Sequence, residues 1–190
     1  MSNIIRVVLA DDHVFVRDGI KSLLENEANI EVAGEAIDGA DALEVVAATK
    51  PDLLIVDIRM PNLTGIEVVE KLRSENNSVK IIMLSMHESE EYVLKSIKAG
   101  ADGYLLKETP PKELYDAIVQ TLDGGAVMTP SIAMKTLKLL RNPLAIQVEK
   151  QEEITLTVRE IEVLEQLSKG LTYTVIADNL FISPSTVRRH

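Results

Sequence analysis

Along the first 125 residues, short apolar runs alternate with stretches in which apolar side chains recur every three or four positions. The runs cover 7–10, 30–33, 53–56, 81–84 and 103–106, each bounded by charge or glycine. Runs that are apolar on both faces predict buried parallel strands rather than half-solvated ones. Between them, Val16, Ile20, Leu23 and Leu24 form one helical stripe, and Leu43, Val46 and Ala47 another. Ile66, Val69 and Leu72 follow Thr64, which with Glu67 makes an S/T-x-x-E capping box. Val93, Leu94, Ile97 and Lys98 precede Gly100, a predicted helix stop. Leu114, Ile118, Val119 and Leu122 follow Thr109-Pro110, read as an N-cap with proline at the first helical position. Strict β/α alternation, five times over, predicts right-handed crossovers and a doubly wound, five-stranded parallel sheet.

Past this region, 131–140 has helical spacing, Arg141-Asn142-Pro143 breaks it, and 147–153 is polar and charged. Three closely spaced capped segments follow. Thr157-Val158-Arg159-Glu160 is a capping box ahead of Ile161, Val163, Leu164 and Leu167, with a stop at Gly170. Thr172 opens a second segment with Val175, Ile176 and Leu180, and Ser183-Pro184 opens a third carrying Val187. The short turn Phe181-Ile182-Ser183 is what a helix-turn-helix needs. The domain boundaries read from this are 1–125, a helix and linker over 126–154, and a small all-α domain over 155–190.

Composition narrows the function classes. Apolar residues are 46% and charged residues 26% of the 190, the balance of a globular protein. There is no Cys, which removes disulfides, thiolate zinc sites and Cys nucleophiles. No apolar run approaches the roughly 20 residues of a membrane span, and the N-terminus lacks a basic leader region, so a cytoplasmic protein with no membrane partner is expected. The net charge of -10 is uneven. Residues 150–190 carry five basic and six acidic side chains, leaving 15 basic and 24 acidic ones, net -9, to residues 1–149. Nucleic acid requires a cationic face, so any DNA contact must be local and C-terminal.

In open α/β sheets, ligands bind beyond the carboxyl ends of the strands. The five runs end in Asp11-Asp12, an uninformative second end, Asp57, Ser85 and Lys107. Three carboxylates on one edge repel unless a cation is present, and a small hard dication such as Mg²⁺ takes oxygen ligands of this kind. Asp attacks phosphorus to give an acyl phosphate, a transfer that depends mainly on positioning and charge neutralisation. Asp57 is therefore the expected nucleophile, Asp11 and Asp12 the metal holders, Lys107 the partner of the phosphoryl oxygens, and Ser85 a hydrogen-bond donor to one of them. His13 stands either at the pocket mouth or on the open surface.

On these residues, 1–125 resembles the flavodoxin-like receiver domain of two-component signalling. Leu84-Ser85-Met86-His87 and Lys98-Ala99-Gly100-Ala101-Asp102-Gly103-Tyr104-Leu105-Leu106-Lys107 resemble NarL/FixJ-type response regulators. Residues 156–164 and 176–183 are similar to their LuxR-like output domain. The resemblance implies phosphorylation of Asp57 by a histidine kinase, a metal site of Asp11, Asp12, Asp57 and the backbone carbonyl of Arg59, and a switch pair of Ser85 and Tyr104, with Tyr104 turning inward on phosphorylation. It also implies a homodimer when phosphorylated. DNA contacts are expected from Ser185, Thr186, Val187, Arg188, Arg189 and His190 at the start of a recognition helix. Glu108 stands where many receivers have proline, and Tyr173-Thr174-Val175 replaces a more polar stretch. Because the family continues beyond the position of His190, weak or absent operator binding is expected of residues 1–190. Two other functions compete with a regulator of transcription: a receiver acting only as a phosphorylation-dependent interaction module, and an Asp-nucleophile phosphatase. The second lacks its usual acid, since the position two after Asp57 is Arg59, and no enzyme activity is expected.

Overall fold

The computed structural model describes residues 4–86, 89–141, 166, 171–180, 183 and 186. The chain divides into two compact units, Met1–Pro143 and Leu144–His190. In the first unit the chain alternates through β1 (Ile5–Ala10), α1 (Val14–Leu24), β2 (Ile30–Ala36), α2 (Gly39–Thr49), β3 (Leu53–Asp57) and α3 (Gly65–Ser74). It continues through β4 (Lys80–Ser85), α4 (Glu90–Ala99), β5 (Gly103–Leu106), α5 (Pro111–Leu122), β6 (Val127–Met128) and α6 (Pro130–Arg141). Every strand pair is parallel, in the order β2-β1-β3-β4-β5-β6.

The sheet thus has six strands where the hydrophobic pattern predicts five. The extra strand is two residues long, too short to leave a periodic signal. It satisfies an edge that β5 would otherwise expose. Gly103 makes room for it: a Cβ there would lie 3.3 Å from the Val127 carbonyl oxygen.

Alternation along the strands splits the core in two. Val7, Leu9, Leu53, Ile55, Ile82, Leu84 and Leu105 pack with Leu24 of α1 and with Leu114, Ala117 and Ile118 of α5. Val8, Ala10, Leu54, Val56, Ile81, Met83 and Tyr104 pack with the helices of the other face, through residues such as Ala42, Val68, Val69, Leu72 and Val93. Burial on both faces explains why the runs are apolar throughout rather than alternating.

Local signals behave as their chemistry dictates. Thr64 and Glu67 form the full capping box, each side chain accepting from the other's backbone N–H at 3.3 and 2.7 Å. Gly100 ends α4 at φ 101°, in the left-handed region. Three expectations need correction. Thr109 is not the N-cap of α5, because Pro110 takes that place and Pro111 is the first helical residue. Leu23 is 38% exposed and Ala47 is exposed, since Leu24 and Ala42 face the sheet instead.

Of the second unit, the helix Tyr173–Leu180 is described, with Ile176 and Ala177 buried beside Leu171 and Leu180. Val175, assigned to the inner stripe, is exposed there. The Thr186 N–H donates to Ser183 Oγ at 3.2 Å, the cap that Ser183-Pro184 predicts. The capping box at Thr157 and Glu160 lies outside the described residues.

Candidate functional site

The strand order reverses at β1, which has β2 on one side and β3 on the other. The crevice of a doubly wound sheet lies beyond the carboxyl ends at this point. Asp11 directly follows β1, Asp57 is the last residue of β3, Ser85 the last of β4, and Lys107 directly follows β5. The Lys107 N–H donates to the Ser85 carbonyl at 2.8 Å, which ties the last two strand ends together.

These side chains meet. Lys107 Nζ donates to Asp57 Oδ2 at 2.8 Å and lies 2.7 Å from Asp11 Oδ2. All three side chains are 3–7% exposed, so the contacts are little screened by solvent. Burial pushes the Asp57 carboxyl up from its ordinary value of 3.8, partly offset by the hydrogen bond from Lys107. Burial also opposes the charge on Lys107, but its contacts with Asp11 and Asp57 outweigh this and hold its pKa above the ordinary 10.5. The site therefore keeps one fixed cation between two carboxylates. The nearby Arg59 backbone N–H also favours the charged form of Asp57. A cavity of about 40 Å³ adjoins these groups, lined by His13, Asp57, Arg59, Ser85, Tyr92 and Lys107 among others.

One carboxyl oxygen from each of Asp11, Asp12 and Asp57 and one ring nitrogen of His13 lie within 4.8 Å of one another. Asp11 Oδ2 is buried, with the Lys107 ammonium 2.7 Å away. Three carboxylates this close together suit a small hard dication. The acidic cluster could hold a metal ion.

Tyr104 is not brought to this cavity. It is 1% exposed, packed inside the core cluster on the α4 face. The inward placement expected only on phosphorylation is thus already present, because the ring fills space among Met83, Val93 and their neighbours. Of the six residues expected to touch DNA, only Thr186 is described; Ser185, Val187, Arg188, Arg189 and His190 lie outside the described residues.

Two contributors, Arg17 and Gly65, escaped the reading of the sequence. Arg17 donates through Nη1 to the Asp11 carbonyl at 2.7 Å and pairs with Glu35, fixing the backbone under the first acidic residue. His13, read as standing at the pocket mouth or on the open surface, lines the pocket with its side chain 64% exposed, its Nδ1 2.8 Å from Asp12 Oδ1 and its backbone N–H donating to Asp11 Oδ1 at 2.9 Å. Gly65 lets α3 start against β3: a Cβ there would sit 2.1 Å from the Asp57 carbonyl oxygen. The glycine beside a capping threonine was a readable hint; for Arg17 the sequence holds none.

Comparison with known proteins agrees with this geometry. Residues 7–119 match the family described as response regulator receiver domain, and residues 154–190 match the luxR family of bacterial regulatory proteins. The transcriptional regulatory protein YxjL of Bacillus subtilis is 41% identical over 188 residues, 98% of this chain and 85% of its own. The nitrate/nitrite response regulator NarL of Escherichia coli is 35% identical over 184 residues, 97% of this chain and 84% of its own. Among solved structures, the receiver domain of the putative response regulator NarL from Mycobacterium tuberculosis superposes with a TM-score of 0.63 at 34% identity, over 64% of this chain and 98% of that one. A LuxR-family two-component response regulator from Aurantimonas gives a TM-score of 0.69 at 33% identity, over 73% of this chain and 99% of that one. The chain accordingly belongs to the NarL-type, LuxR-family response regulators of two-component systems, and it is a regulator of transcription.

Proposed function

We propose that Asp57 accepts a phosphoryl group from the phosphohistidine of a histidine kinase, and that the acyl phosphate controls DNA binding by the C-terminal domain. The observation that carries this reading is the convergence of Asp57, Lys107 and Asp11 at the switch point of the sheet. The Asp57 carboxylate attacks phosphorus, the P–N bond to the donor histidine breaks, and the imidazole leaves with a proton. Lys107 and Ser85 hold phosphoryl oxygens, and the Arg59 N–H orients the Asp57 carboxylate. Asp11, Asp12, Asp57 and the Arg59 carbonyl would hold Mg²⁺, which when bound neutralises phosphoryl charge.

Ser85 and Tyr104 act as the switch pair, phosphorylation holding Tyr104 in the inward place it already occupies, and phosphorylation favours a homodimer. Ser185, Thr186, Val187, Arg188, Arg189 and His190 meet the operator. Among the described residues no helix is long and apolar enough to cross a membrane, which supports a cytoplasmic site of action. Intact mass measured after incubation with phosphoramidate and Mg²⁺ tests the assignment. A phosphoryl adduct is expected on the wild type and is expected to be lost in Asp57→Asn. An adduct that persists in Asp57→Asn overturns it.

A further inference from the structure

The segment that follows α5 is built onto the switch face. β6 runs beside β5 with Tyr104 opposite Met128, and the Val127 N–H reaches the Asp102 carbonyl at 3.4 Å. α6 begins at once. Thr129 Oγ1 accepts from the Ile132 N–H at 3.4 Å, and Thr136 Oγ1 donates to the Ile132 carbonyl at 3.0 Å and lies 3.9 Å from Met128 Sδ. Among the described side chains of α6, Ile132 alone is fully buried, while Met134 and Leu137 are exposed. Ile132 belongs to the same core cluster as Tyr104, Val93 and Met83.

α6 also packs on α4. α4 buries Val93 and Ser96, and the Ser96 hydroxyl is fully buried with no hydrogen-bond partner. Its N-cap Ser89 makes no capping bond either. α3 and α5 each bury four residues and α1 only Leu24. A helix with few buried contacts and an unsatisfied hydroxyl opens at low cost.

We propose that β6 and α6 form a strap whose docking is coupled through Ile132 to the inward packing of Tyr104 and to α4, so that the state of the Asp57 pocket reaches the end of α6 through packed side chains. This rests on the function proposed above and names its route of regulation. Tyr104 lies on the strand that leads into Lys107, three residues ahead of it. A phosphoryl group that draws Lys107 and Ser85 together holds that strand end, and with it the docked strap. Coupling of this kind is reciprocal: a loosened strap loosens Tyr104.

Hydrogen exchange of the amides at 127–141, measured in the full 190-residue chain, tests it in two arms. In the first, Ile132→Val, Tyr104→Leu and the double variant are compared without phosphodonor. The conservative pair avoids unfolding, and the double variant is expected to accelerate exchange at least threefold less than the product of the single effects. Simple multiplication of the two effects overturns the coupling. In the second arm, phosphoramidate and Mg²⁺ are added while intact mass follows Asp57. Exchange at 127–141 is expected to slow at least threefold in the wild type and in Met134→Ala, and not in Ile132→Ala carrying the same adduct. Unchanged exchange in a phosphorylated wild type overturns the proposal. Absence of any adduct removes the phosphoacceptor assignment instead, and the first arm still decides whether Tyr104 and Ile132 are coupled.

Discussion

Replacing Lys107 by Met tests the central contact of the pocket. The variant keeps the aliphatic stem and removes the charge. Asp11 Oδ2 and Asp57 Oδ2 lie 2.7 and 2.8 Å from the same Nζ, so the two oxygens are at most about 5.5 Å apart. Two unit charges at that separation repel by about 3 kcal/mol at an effective dielectric constant near 20. Removing one partner from a buried ionic cluster typically costs 3–5 kcal/mol, because the charges left behind stay desolvated. A loss of about 3 kcal/mol in the first unit is expected in metal-free buffer. Native-state hydrogen exchange at the amides of β3 and β4 reads it, since those strands are buried on both faces and open with the unit as a whole. Added Mg²⁺ is expected to stabilise Lys107→Met more than the wild type, which already holds a cation between its carboxylates. A variant within 0.5 kcal/mol of the wild type without metal would show that Asp11, Lys107 and Asp57 do not form a buried triad.

Two further outcomes concern the packing and the charges around this pocket. Gly65→Ala places a methyl group 2.1 Å from the Asp57 carbonyl oxygen, a backbone atom that cannot swing aside. A cost of about 2 kcal/mol in urea unfolding is expected, with slower phosphoryl uptake at Asp57 by intact mass; unaltered values for both refute the close packing of α3 on β3. Glu35 accepts from Lys21 and Arg17, and the Lys21 bond in particular holds its carboxyl below the ordinary 4.5. A depressed carboxylate stabilises fully above its unfolded pKa and loses that contribution as pH falls through the lower folded value. Stability is therefore expected to decline more steeply below about pH 4.5 in the wild type than in Glu35→Gln, and parallel curves would contradict it.

Sequence reading succeeded where the signal is local. Thr64 and Glu67 are three positions apart, within one helical turn, and their bonds depend on nothing beyond it. Gly100 stops α4 because only a residue without Cβ takes φ 101° freely. It failed where neighbours decide. Thr109-Pro110-Pro111 offers two prolines as first helical residue, and the helix starts on the second. Leu23 and Leu24 are equally apolar, yet only Leu24 meets the sheet.

The order of apolar runs and amphipathic stretches, by itself, determined a parallel α/β sheet whose strands end in Asp11-Asp12, Asp57, Ser85 and Lys107. Periodicity reports which faces are buried, and that suffices for class and for which residues stand at strand ends. The tertiary structure alone decided that Lys107 bridges Asp57, 50 residues away, and Asp11. It also decided that Arg17 holds the Asp11 backbone, that Tyr104 is already inside, and that a sixth strand closes the β5 edge. Those facts depend on strand order and on how closely backbones approach, and neither leaves a mark on the spacing of side chains along one segment.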